Sequence, residues 1–297
     1  MLFVANYIMK GQIQAYVATV LLSFLTVWFA PFGVLLGAIV AMVTLRIGVN
    51  EGVKILIAAL VVNLAVTAVL LGGILPGVVS AVEYLLPVWL MALVLRNTNS
   101  LASTLNLGML MAGFAVIVFH FVVGDTAAWW KQLIDQALLP LLKEANVATP
   151  TELIGNMSQV ATMLIAMFLV GLWFSIVLLA RWWQSVLYHP GQFAADFYQL
   201  RLPKNLAYLA VVIAIAGLFV QTGLIQDLSG VMMAGLMFPG LAIAHHAVSV
   251  RKMSKAWLMG LYVLLFLFPQ TILILATIGL VDTWMDIRSR WSQDSEN

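Results

Sequence analysis

"ARWWQSVLYHPGQFAADFYQLRLPK", from Ala180 to Lys204, is one of two long stretches in which an otherwise oily chain turns polar. Tryptophans and an arginine lead into His189-Pro190-Gly191, which breaks the preceding helix, because proline lacks an N–H and its ring clashes with the turn before it. The segment after the break places Phe193, Phe197, Leu200 and Leu202 along roughly one side and ends in Arg201 and Lys204. Read outward from here, the chain is apolar on both sides.

Of its 297 residues, 63% are hydrophobic and only 9% are charged. Soluble domains carry about a quarter charged residues, so a folded surface of this size could not be covered in water. The 12 acidic and 14 basic residues nearly balance, and the basic ones are scattered at the ends of apolar runs. A nucleic-acid binder gathers them on one face; no nucleic-acid partner is expected. The absence of cysteine excludes disulfides, thiol catalysis and Cys-ligated zinc. The start "MLFVANYIMKGQIQAY" lacks a basic region and a small-residue cleavage site, so the first helix is read as retained.

A bilayer core takes about 20 apolar residues per helix. Nine runs come near that length: 13–29, 32–46, 54–72, 76–95, 102–123, 158–181, 205–221, 228–250 and 257–281. The fold class is therefore all-α, a polytopic transmembrane helical bundle. The run at 32–46 is short and opens after Pro31, so a count of eight stays open beside nine. Three sections are expected: a six-span unit over 1–188, a cytoplasmic amphipathic linker over 189–204, and a unit of about three spans over 205–297.

Basic residues in short loops set the orientation. With the N-terminus inside, Lys10, Arg46, Lys54, Arg96, Arg181, Arg201, Lys204, Arg251, Lys252 and Lys255 fall on the inner side, and Lys131 and Lys143 on the outer. The expected home is a bacterial inner membrane. The C-terminal "DTWMDIRSRW" conflicts with this scheme: nine spans would put Arg288 and Arg290 outside, although "RKMSK", before the last run, is also basic.

The linker has two readings. Trp182 and Trp183 suit a membrane interface, and Arg181 can snorkel to it, which makes the segment an interfacial anchor. Alternatively, Phe193, Phe197 and Arg201 form a docking surface for a cytoplasmic protein partner. The long outer loop, 124–157, contains "TAAWWKQLIDQALLPLLKEA", whose Trp129, Leu133, Leu138 and Leu141 recur at near-helical spacing. It reads as a surface helix, either packing or a lid.

No P-loop, H-E-x-x-H or G-x-S-x-G pattern is present, so the chain has no ATP-binding loop of its own and no enzyme is expected. No cofactor or metal is expected either. Polar groups inside spans are then the functional candidates, since each is costly in hydrocarbon. Glu83 lies about seven residues inside the fourth run, on the order of 10 Å deep. Asn63 sits in mid-span, and His120 near the end of the fifth run. These three could converge on a pocket for an unknown small molecule; the competing reading makes Glu83 a protonated hydrogen-bonding group between helices. Adjacent His245 and His246 point about 100° apart and suit an interface better than a shared metal. Gln270 is expected to repair the backbone bond removed by Pro269. Ala15, Thr19 and Ser23 form one small-residue row, and Gly33, Gly37 and Ala41 another; such rows allow close helix contact, within the chain or with a partner.

Four stretches carry a resemblance: "APFGVLLGAIVAMVTLRIGVNEG", "FYQLRLPKNLAYLA", "GLMFPGLAIAHH" and "GLVDTWMDIRSR". In their order and spacing they resemble the YybS-like family of uncharacterised bacterial membrane proteins. That family is distantly similar to the substrate-binding (S) components of energy-coupling-factor transporters. The resemblance implies a six-helix unit with both termini inside that captures a small molecule from outside and borrows its ATPases. It also implies a coupling-subunit contact on the first helix. There the S components often carry Ala-xxx-Ala, whereas this chain has Ala15, Thr19 and Ser23. The additional C-terminal spans are a second departure.

Overall fold

The computed structural model describes residues 2–145, 151–220 and 223–288. Among these, all regular structure is helical. Five stretches are long and apolar enough to cross a membrane: Val49–Leu71, Leu75–Thr98, Leu101–Val123, Thr151–Tyr188 and Leu224–Val250. Five shorter apolar helices accompany them. The chain forms two compact units. The first joins Met1–Gly108 to Gly171–Leu200, and the second joins Met109–Val170 to Arg201–Asn297. One boundary falls at the end of the polar linker; the others fall inside the long helices α7 (Leu101–Val123) and α9 (Thr151–Tyr188).

In the first unit, α1 (Leu2–Ile8) and α2 (Gln12–Trp28) lead into α3 (Phe32–Arg46). Every residue of α3 from Leu36 to Leu45 is buried. A helix that is apolar all round belongs in the middle of a bundle, and its neighbours are α2, α4 (Val49–Leu71) and α6 (Leu86–Thr98). The shortest run in the sequence is therefore the core of this unit. Its small residues explain the fit. At Gly33 a Cβ would lie 2.6 Å from the Tyr84 ring, and at Gly37 it would strike the Tyr84 carbonyl oxygen. The C-terminal end of α3 is held by Arg96, whose guanidinium donates to the carbonyls of Thr44 (3.0 Å) and Leu45 (2.8 Å). A cation at a helix C-terminus satisfies carbonyls that lack an intrahelical partner and complements the dipole.

Ala15, Thr19 and Ser23 are likewise buried within this unit, where α2 packs on α3 and α4. The row packs within the chain in this structure. Trp183, expected at an interface, is fully buried: it lies on the inward side of α9, where a large apolar ring gains most from burial. Arg181 is paired with Asp196 (2.7 Å) and Gln184 (2.6 Å). Phe193 and Phe197 stack on α10 (Gln192–Tyr198), with Phe197 buried.

The second unit contains α8 (Thr126–Glu144), α11 (Lys204–Phe219), α12 (Leu224–Val250), α13 (Ala256–Leu267) and α14 (Gln270–Met285), with the adjoining parts of α7 and α9. The run 257–281 is broken here. Phe268 is extended, and Pro269 opens α14. The side chain that reaches back across the break is Thr271, whose hydroxyl donates to the Leu264 carbonyl at 3.2 Å. Proline forces the break because it can neither donate to the preceding turn nor clear its carbonyl.

The break also bears on the position of the basic tail. α12 and α14 run parallel. Gly240 meets the Leu275 carbonyl and Gly279 meets the Leu236 carbonyl, while further along His246 lies beside Asp282 and Arg288. Arg201, at the start of α11, joins the same place through Asp282 at 3.1 Å and through Asp286. The residues before α11, the Arg251–Lys255 turn and Arg288 therefore gather at one end of this unit. The last apolar run is two helices, α13 back and α14 forward, rather than one. Arg290 lies outside the described residues.

Candidate functional site

The polar site of the first unit is built by α4, α5 (Leu75–Ser80) and the π-helical turn Ala81–Leu85 that joins α5 to α6. Asn63 and Thr67 stand one turn apart on α4 and so share a face. Asn63 is 1% exposed. Its amide donates to the Ser80 hydroxyl at 3.2 Å, and its carbonyl oxygen Oδ1 has no partner. α5 can lie close enough for this because Gly77 packs against Thr67, where a Cβ would be 2.6 Å from the hydroxyl oxygen.

The π turn follows from Pro87. In a regular helix the N–H of residue 87 would bond to the carbonyl of Glu83, and proline has none. The turn widens instead, and the Leu86 N–H reaches the Ala81 carbonyl. This frees the Val82 carbonyl, which accepts from the Trp173 indole at 3.2 Å. Widened turns of this kind recur at functional sites, and this one holds Glu83 and Tyr84.

Asn63, Thr67, Ser80 and Glu83 line one cavity of about 330 Å³, with Thr26 and Tyr84 and an apolar wall that includes Val27, Leu75 and Val79. The Thr26 and Thr67 hydroxyls donate to carbonyls of their own helices, Leu22 (2.7 Å) and Asn63 (2.9 Å). Two of the expected site residues, Asn63 and Glu83, are thus brought together. Among the described residues, Glu83 is the one carboxylic acid on this wall, and no basic residue lines it.

His120 belongs to the second unit, where its Nε2 lies 2.7 Å from Asp227 Oδ2. Asp227 was missed because "GLIQDL" reads as a loop; the legible signal was an acidic residue in a first helical turn after glycine, where N–H groups favour negative charge. It is 1% exposed, and its Oδ1 is unpartnered. Nearby on α7, α8 and α9, a second cavity of about 250 Å³ is almost entirely apolar. Trp130 of α8 borders it and donates to the Thr162 hydroxyl at 2.8 Å, while Trp129 packs edge-on against Phe119. His245 pairs with the Tyr262 hydroxyl at 2.8 Å. Among the described residues, no three His, Asp or Glu side chains are grouped to hold a metal ion.

A bundle of long apolar helices, with polar side chains buried inside it, defines an integral membrane protein. The chain belongs to the family described as "Predicted membrane protein (DUF2232)", whose model matches residues 17–283. No curated protein and no solved structure matches it.

Proposed function

We propose that this protein binds a small molecule in the cavity between Asn63 and Glu83, in a transport-related role without an ATPase of its own. The observation that carries this reading is Asn63, a buried amide that lines a cavity and whose acceptor oxygen stays unpaired. An unmet polar group in an apolar interior costs on the order of 1–3 kcal/mol, and a ligand that meets it recovers that cost. The cavity is also at the small end of the usual size range for ligand sites, about 300–1,000 Å³. Resemblance to the YybS-like family and to S components points the same way. The scaffold alternative draws less support, because Phe197 is buried and Arg201 is engaged with Asp282 and Asp286. Orientation with the N-terminus inside a bacterial inner membrane, and capture from outside, belong to the same proposal.

The test uses the absence of native cysteine. A thiol reacts as thiolate, and so only where water reaches it. Val79→Cys on the cavity wall should react with a membrane-impermeant maleimide in intact cells. Val61→Cys, 60% exposed on α4 and outside the cavity lining, on a face the proposal puts in lipid, should not. Failure of Val79→Cys to react from either membrane face would remove the solute-accessible cavity on which the proposal depends.

A further inference from the structure

We infer that the ligand is a small organic cation, an ammonium with an apolar body. This rests on the small-molecule reading of the cavity and narrows it by counting donors and acceptors. Asn63 Oδ1 is an unpaired acceptor. The Asn63 amide is turned to Ser80, and the Thr26 and Thr67 hydroxyl protons are committed to backbone carbonyls. These groups offer a ligand oxygen lone pairs, and the Ser80 hydroxyl, which accepts from Asn63, keeps one proton to donate. Glu83 adds a carboxylate, which when ionised can accept but not donate. Acceptors outnumber donors on this wall and its charged group is an acceptor, so a donor-rich ligand fits best, and an ammonium supplies three donors on a single atom.

Charge narrows the class further. The wall has an acid and no base, so a bound anion would meet uncompensated repulsion, while a cation would neutralise the carboxylate. Within a span, surrounded by low-dielectric material, that pairing matters more than it would in water. The apolar side of the cavity excludes the bare ion as a good fit. Val27, Leu71, Leu75, Pro76 and Val79 offer no ligands to an alkali ion, which coordinates through oxygen, but they complete the burial of a hydrocarbon body. The arrangement matches the general form of a small-molecule site, mostly apolar with a few placed polar groups.

The experiment is isothermal titration calorimetry on the full chain in lipid nanodiscs at neutral pH, with benzylamine, benzyl alcohol and benzoate as probes of one shape and three charges. Saturable binding of benzylamine alone, weakened about tenfold or more by Glu83→Gln, is the expected result; tenfold corresponds to about 1.4 kcal/mol. Leu71→Trp fills the cavity without touching its polar groups and should abolish the same binding, which keeps the test open if Glu83→Gln fails to fold. Binding of the alcohol or of benzoate as tight as that of the amine, and lost in Leu71→Trp, would overturn the cationic inference while leaving the small-molecule reading in place. Binding of none of the three would overturn the inference outright, and the small-molecule reading would then rest on whether the purified protein retains any ligand.

Discussion

His120 Nε2 and Asp227 Oδ2 lie 2.7 Å apart across 107 residues of sequence, joining α7 to α12 inside the second unit. Both side chains are largely sequestered, at 15% and 2% exposure. Neither would be tolerated alone in hydrocarbon, because an ionisable group there needs a partner. The pair also begins α12, so it fixes where that helix starts against its neighbour. We expect His120→Ala and Asp227→Ala each to lower thermal stability in detergent, and the double variant to lose much less than the sum. A double-mutant cycle should give a coupling of about 1–3 kcal/mol; strict additivity would mean that the contact does not act as a unit.

The charged end of the second unit supports a different prediction. Asp282 is fully buried and accepts from Arg288 (2.6 Å), from Arg201 (3.1 Å) and from the Ile287 N–H (2.9 Å). Its removal takes away the carboxylate to which the buried Arg288 guanidinium donates twice, and one of the two carboxylates that Arg201 meets, the costly way to break such a network. Asp282→Asn should free the segment after α14, read as faster tryptic cleavage at Arg288 in limited proteolysis. Asp286→Asn, at a half-exposed position, should change the cleavage rate little. Equal rates for both variants would contradict the central place given to Asp282.

Glycines separate packing from helix propensity. A Cβ at Gly240 would collide with the backbone of Leu275, whereas Gly260 on α13 has nothing within 4 Å. A backbone atom cannot swing aside as a side chain can, so Gly240→Ala should destabilise the α12–α14 contact by about 1–3 kcal/mol, the usual cost of overpacking. Gly260→Ala should stabilise by up to about 1 kcal/mol, as a helix-interior glycine is replaced. Thermal unfolding of both variants beside the wild type checks the opposite signs.

How much of this was legible in the sequence varied with the scale of the signal. Apolar run length locates helices, and the runs at 54–72, 76–95 and 102–123 correspond closely to membrane-length helices. Run length carries no information on which helix is central, so α3 looked marginal for the reason that makes it the core: small residues let it sit among the others. Hydropathy also averages over a break. The stretch 257–281 stays apolar through Pro269, and only the chemistry of proline, with the basic residues at both of its ends, hinted at two helices. At the site, Asn63 and Glu83 stood out because polar groups in an apolar run are conspicuous. Asp227 and Asp282 did not, because each lies near the end of a run, where polarity is ordinary. Tyr84 and Ser80 were hidden for another reason: their roles depend on the π turn at Pro87 and on the closeness that Gly77 permits, neither of which periodicity reports.

The most direct measurement is native mass spectrometry of the purified protein, wild type beside Glu83→Ala. The account predicts that the wild type carries a small molecule of defined mass, and that Glu83→Ala, still folded, does not. A wild type that retains no small molecule, or a bound mass equally present in Glu83→Ala, would contradict the assignment of the Asn63–Glu83 cavity as the binding site.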